Sequence, residues 1–270
     1  MTPNSFHYLV YDIESVADKG LLNKVEFPAE GLSDDAALAR YISELPEDKG
    51  GFVNPSFHCP ISLAAVAVGS DFGITKIGLF GGDTQVERTT ASIVRDFWKT
   101  YNTKRPVLVD FFGKGFDIRV LELWAFRLGI TIDRRHFDKF GTRYRFGEEH
   151  HFDLHEFLTN YGAVRFRGGL DLFSKILGKP GKMTTKGHMV QELYDQGKFF
   201  EIDDYCLADA IDTYFVFLRT RVMMGTLTLD QEARLVDATH LTLQTMSAKQ
   251  GYFKQYLEAF GKWDPVQSLK

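Results

Sequence analysis

The chain has 270 residues, 44% of them hydrophobic and 14% aromatic, enough to bury one large core or a core with an appended piece. Its formal charge of −4 argues against a protein that coats nucleic acid by bulk positive charge. It carries no charged-then-apolar leader pattern and no uninterrupted apolar run of about 18 residues, so neither a signal peptide nor a membrane span is expected and the expected compartment is the cytoplasm.

Tyr8, Leu9, Val10 and Tyr11 form an apolar run rich in β-branched and aromatic side chains, as a strand buried on both faces requires. Side chains alternate along a strand, so Asp12 and Glu14 point to one side and Ile13 to the other. Two acids in one small space repel unless a divalent cation neutralises them, and hard oxygen ligands suit Mg²⁺ or Mn²⁺. A lone Asp-x-Glu is more often a solvent-facing strand end, so further carboxylates have to come from elsewhere in the chain.

Residues 17–50 turn polar and read as an insertion with one helix-like patch, Ser33 to Leu45. Ile61 to Gly69 and Ile74 to Phe80 return to strand character and look like hairpin neighbours. Thr84 to Tyr101 carries Val86, Ile93, Val94, Phe97, Trp98 and Tyr101 at helical spacing, a crossover that leads to a buried strand at Val107 to Phe112. This order predicts an α/β domain in which an antiparallel start of three strands passes into parallel crossovers, flanked by helices. Ligands in such sheets collect outside strand ends, where acids following strands one and four can meet.

Gly113-Lys114-Gly115-Phe116-Asp117 opens a helix to about Leu128 and sets Asp117 in its first turn, where the helix dipole favours an acid even without a function. Residues 131–190 hold eleven Lys and Arg against seven Asp and Glu, so the remaining chain is at −8. A locally basic stretch in an acidic protein fits transient contact with a polyanion and equally a solvated face. Within it, residues 131–150 read as a mobile loop with aromatic groups for stacking on bases. His151-x-Asp153-x-His155 offers zinc-capable side chains, but Phe152 to Leu158 reads better as a short strand or turn entering a helix with Asp153 as its cap. Gly178 to Thr184 lacks the spacing of a phosphate loop and reads as a turn.

Tyr205 to Arg219 reads as a helix on which Tyr205 and Asp209 share a face. Beyond Gly225, Thr228-x-x-Gln231 and Ser247-x-x-Gln250 look like capping boxes of two further helices, the second with Tyr252, Phe253, Tyr256, Leu257 and Phe260 as its apolar side. Both are expected to pack on the domain. Cys59 and Cys206 are too few for a disulfide framework and are expected as reduced, structural thiols.

Asp-x-Glu on a first strand, an Asp at a helix start after a later strand and Tyr-x-x-x-Asp on a late helix together resemble the DEDDy 3′–5′ exonucleases of the ribonuclease H-like superfamily. The specific resemblance is to predicted exonucleases related to the proofreading domain of family B DNA polymerases. It covers roughly Phe6 to Leu227 and includes Asn54-Pro55-Ser56-Phe57-His58, Gly115-Phe116-Asp117, Phe152-Asp153-Leu154, Leu177 to Lys182 and Tyr205-Cys206-x-x-Asp209-x-x-x-Thr213-Tyr214. It implies an exonuclease domain over 1–227, with 17–50 inserted, a helical extension over 228–270 and no polymerase part.

The resemblance further implies that Asp12, Glu14, Asp117 and Asp209 hold two divalent cations, Mg²⁺ or Mn²⁺, with Asp12 bridging them. Tyr205 would orient the attacking water, and Ile13, Phe112, Lys114 and Phe116 would face the substrate. The expected activity is hydrolysis at the 3′ end of single-stranded DNA, a reaction of the DNA repair kind, with an exoribonuclease and a catalytically weak nucleic-acid-binding module as alternatives. One residue departs from the pattern. Phe112 stands where the family commonly has Asn, and an aromatic ring there trades hydrogen bonding for stacking, worth about 1–3 kcal/mol per base.

Overall fold

In the computed structural model, which describes residues 6–46, 51–82, 84, 88–183, 187–247 and 251–261, the N-terminal apolar run forms β1 (Tyr8–Ala17) at the centre of a five-stranded sheet. The inserted stretch holds two helices where one was expected, α1 (Lys19–Glu26) and α2 (Asp34–Glu44). Asp18 accepts from the Leu21 amide and Ser33 from the Ala36 amide, and each cap satisfies a donor the first turn would otherwise leave open. Leu22, Phe27, Ala37, Leu38, Val53 and Phe57 give this piece a small core of its own.

β2 (His58–Val68) and β3 (Ile74–Leu79) run antiparallel to their neighbours, giving the expected three-stranded start. The crossover helix α3 (Thr90–Lys104) begins later than the spacing suggested, because Thr89 and Ser92 form a reciprocal capping box; Val86 lies outside the described residues. β4 (Val107–Asp110) is parallel to β1 and stops two residues short of Phe112. There the Asp110 carboxylate accepts from the Gly113 amide at 3.1 Å and Phe112 takes φ +72°, so the chain turns into α4 (Asp117–Leu128). β5 (His151–Asp153) completes the sheet in the order β3-β2-β1-β4-β5, and Asp153 caps α5 (Leu154–Leu158) as read from the sequence.

The helices α6 (Gly169–Ile176), α7 (Val190–Asp195), α8 (Phe199–Met223), α9 (Leu229–Ser247) and α10 (Gly251–Glu258) follow. The sheet divides the core into two layers. Leu9, Tyr11 and Ile13 of β1 pack against α3 and α4, whereas Val10 packs with Ala64 and Val66 against α8. Residues 131–150, expected to be mobile, are fastened at several points. His136 is buried against Glu122 at 2.5 Å, Tyr101 bonds Thr142 at 2.6 Å, and the Lys114 ammonium donates to the carbonyls of Arg145 and Gly147.

The two C-terminal helices share the α8 layer. Thr228 and Gln231 exchange the two hydrogen bonds of a capping box, at 2.8 and 3.2 Å. The second expected box cannot be followed, because Gln250 and the Tyr252 side chain lie outside the described residues, as does Thr184 of the glycine-rich turn. Phe253 and Tyr256 are fully buried, and the Tyr256 hydroxyl donates to Asp212 Oδ1 at 2.5 Å. Among the described residues no helix is long and apolar enough to cross a membrane.

Asp212 makes the α8–α10 contact sensitive to pH. Burial, with the Asp209 charge behind it, pushes its carboxyl up to about 7. The folded chain therefore holds a proton here that the unfolded chain, titrating near pH 4, has already released, and stability falls as pH climbs through that window. Urea unfolding of Asp212→Asn is expected to lose on the order of 4 kcal/mol less than the parent chain between pH 4 and pH 8, the equivalent of about three pKa units.

Candidate active site

Alternation along β1 sets Asp12 and Glu14 on the face that meets α8, behind Val10. The register with β2 shifts between Glu14 and Ser15, a bulge at the mouth of the sheet. α8 is pinned to the strand where the acids stand, with the Cys206 thiol donating to the Asp12 carbonyl at 3.3 Å. One turn on, Asp209 joins them. Asp12, Glu14 and Asp209 each bring a carboxylate oxygen to within 4.8 Å of the others.

Asp117, the first residue of α4, approaches from the opposite layer. Its Oδ1 accepts from the backbone N–H of Ile13 at 3.2 Å, which fixes the carboxylate beside the peptide joining Asp12 to Ile13. Four acids scattered over the sequence thus end at one rim of the sheet. Asp12, Glu14 and Asp117 have their carboxyls held far above the usual range, first by burial and then by neighbouring acids. Burial raises Asp209 to about 6, against the opposing effects of Lys182 and the Tyr205 hydroxyl.

The donor set is all oxygen, largely buried and mutually repulsive, and Asp12 Oδ2 has no hydrogen-bond partner among the described residues. These features fit hard divalent cations. Zinc chemistry at His151 and His155 finds no such support, for His151 Nε2 is spent on Asp110 at 2.6 Å and Asp153 caps a helix.

Tyr205 is buried and hydrogen-bonded through its hydroxyl to Asp209 on the same helix, and burial together with the acids pushes its pKa up. Ile13 is 5% exposed and belongs mainly to the α3–α4 layer. Phe116 is half-buried beside Asp117, and Phe112 is exposed. Lys114 does not reach a substrate surface. It is buried and its ammonium is committed to two loop carbonyls, so it ties residues 145–147 to the α4 turn.

Asp153 holds the turn together. Its Oδ1 accepts from the amides of Phe112, His155 and Glu156 and its Oδ2 from that of Lys114, all between 2.9 and 3.1 Å. This keeps Phe112 left-handed, with its ring over Gly115, where an added Cβ would stand 2.6 Å from the ring, and edge-on to His155. A residue that the motif search passed over is Lys182. It is the cation that lowers the pKa of Asp12, Glu14 and Asp209, and its turn is set by the Asp171 carboxylate accepting from its amide at 2.7 Å. The one signal for it was the repeated Gly-Lys of residues 178–182.

A mixed five-stranded sheet with helices on both faces and an acidic cluster at its rim defines an α/β protein of the ribonuclease H-like exonuclease kind. The chain belongs to the family of predicted 3′-5′ exonucleases related to the exonuclease domain of PolB, whose profile matches residues 50–260. That match begins after β1, so Asp12 and Glu14 lie outside it, and it takes in α9 and all of α10. No curated protein matches the chain.

Replacing the Asp153 carboxylate tests how much the turn depends on it. Asp153→Asn leaves an amide facing an N–H donor, and urea unfolding is expected to show a loss of about 2–3 kcal/mol. Faster hydrogen exchange at the Phe112 and Lys114 amides is expected with it.

Proposed function

We propose that the chain is a metal-dependent 3′–5′ exonuclease that removes nucleotides from the 3′ end of single-stranded DNA, with Asp12, Glu14, Asp117 and Asp209 holding two Mg²⁺ or Mn²⁺ ions. The observation that carries this reading is the orphaned Oδ2 of Asp12 inside a set of buried carboxylates that repel one another. Bound there, divalent ions would supply charge neutralisation at the attacking and leaving oxygens of a phosphodiester. The family's relation to a DNA polymerase exonuclease domain supports DNA as the substrate.

The chain's own groups have separable tasks. Tyr205 stays protonated, donates a hydrogen bond to Asp209 and keeps lone pairs on its oxygen that accept from a water and orient it. Lys182 brings positive charge to the same rim, where a phosphate oxygen would meet it. Phe112 presents an exposed ring for stacking, the part an Asn would not play.

Four measurements test the reading. Asp12→Ala is expected to lower Mn²⁺-dependent shortening of a 5′-labelled single-stranded DNA by about a hundredfold or more, with folding retained. A DNA and an RNA of identical sequence, compared on the parent enzyme, distinguish this activity from that of an exoribonuclease. Removing one of the repelling charges should also stabilise the metal-free fold, so Asp12→Asn is expected to raise its Tm while abolishing the rise that Mn²⁺ produces in the parent. If Mn²⁺ leaves the parent's Tm unchanged, the metal assignment is lost. Tyr205→Phe is expected to keep the Mn²⁺-induced rise in Tm and lose about a hundredfold in kcat.

A further inference from the structure

Helix α4 carries apolar side chains on more faces than the fold covers. Its only polar residues are Asp117, Arg119, Glu122 and Arg127. Ile118, Val120, Leu121 and Ala125 are buried in the core, whereas Leu123 is 39% and Phe126 86% exposed. A helix that is hydrophobic nearly all round is ordinarily covered, and contiguous exposed apolar surface marks a contact site. Arg119, Leu123 and Phe126 follow one another at spacings of four and three, so they form one stripe along the outer face.

The stripe lines a groove of about 490 Å³. Gly129, at φ +65°, ends the helix, the Ile130 amide donates back to the Ala125 carbonyl at 2.9 Å, and Ile130, Ile132 and Phe137 supply the rest of the apolar lining. The loop side is firmly held. Next to Phe137, His136 is fully buried, edge-on to Trp98 at 5.2 Å and bonded to Glu122, so the groove is preformed and filling it costs little ordering.

Its charge is local and positive. Arg119 and Arg143 line it against one acid, Glu122, which is mostly buried and already engaged by both guanidinium groups and by His136. Arg143 approaches Glu122 only to 3.5 Å, keeps 49% of its side chain in solvent and lies 5.5 Å from the Phe137 ring. An apolar seam edged by arginines, in a chain of net charge −4, is complementary to an acidic amphipathic segment. A second copy fits less well, because a two-fold axis through the groove would set these arginines against each other. Single-stranded nucleic acid also fits less well, since the aliphatic lining of Leu123, Ile130 and Ile132 would leave the polar edges of bases without partners.

We propose that this groove docks an acidic amphipathic helix of a partner protein, which lays its apolar side chains on Leu123, Phe126 and Phe137 and turns carboxylates to Arg119 and Arg143. Phe126 stands nine residues beyond Asp117 on the same helix, about 13 Å along its axis at 1.5 Å per residue. The docking surface is therefore separate from the acidic cluster, and it stands whether or not those acids cut nucleic acid.

The test titrates the full-length chain into two fluorescein-labelled synthetic helices, about 18 residues long, that share one leucine and phenylalanine seam and carry either glutamate or lysine elsewhere. The net charge of −4 would draw the lysine helix, so a preference for glutamate reports on the groove itself. The parent is expected to bind the glutamate helix about tenfold more tightly than the lysine helix, and Phe126→Ser should weaken that binding about tenfold. Phe126→Leu should keep it, and both variants should retain the parent's Tm and its action on single-stranded DNA in Mn²⁺. The docking surface is refuted if the parent binds neither helix or prefers lysine, or if Phe126→Ser binds as the parent does. It is refuted equally if sedimentation shows a dimer that Phe126→Ser dissolves, which makes the groove a contact between copies. A labelled single-stranded DNA that loses affinity in Phe126→Ser would make it a nucleic-acid surface and refute the proposal as well.

Discussion

Four carboxylates withdrawn from water into one small volume set the terms for everything around them. Each charged form is disfavoured by burial and again by its neighbours, so their pKa values rise together, and among the described residues Asp12 keeps an oxygen with no donor to face. Such a cluster persists only where the surrounding backbone is held firmly enough that the acids cannot swing out to solvent. The Ile13 amide on Asp117 and the Cys206 thiol on the Asp12 carbonyl are local forms of that restraint. Lys182 is a counter-charge that the chain brings itself, on a turn whose shape Asp171 determines.

The restraint converges on α8. It is buried nearly all round, from Ile202 to Thr220, because the sheet covers one side while α6 and the C-terminal helices cover others. Several of its polar residues are committed to contacts with other elements. Tyr205 and Asp209 face the acids, the Tyr214 hydroxyl donates to the Phe72 carbonyl at 2.8 Å, and Asp212 receives Tyr256 from α10. One rigid element thus ties the C-terminal helices to the strand that carries Asp12 and Glu14.

The turn before Asp117 is one of the strained places in the backbone. A bulky residue at φ +72° costs on the order of 1–3 kcal/mol, and an Asn tolerates that conformation far better. Phe112 holds it because the Asp153 carboxylate gathers four backbone amides around the turn, and because Gly115 has no side chain to displace the ring. The ring stays exposed and edge-on to His155 instead of folding into the core.

Local rules in the sequence determined the pieces. Two-residue alternation placed Asp12 and Glu14 on one face, the four-residue spacing placed Tyr205 with Asp209, Asp153 read as a cap, and the order of strands and helices gave the mixed α/β sheet. What those rules do not reach is which distant segments meet. The strand register, the bulge after Glu14 and the crossing of α8 over β1 brought Asp117, Asp209 and Lys182 to the same rim. They also spent Lys114 on a loop and fastened residues 131–150, which looked mobile. Periodicity reports the face a side chain occupies on its own element, whereas convergence depends on many weak contacts between elements far apart in the chain, and only the folded structure sums them.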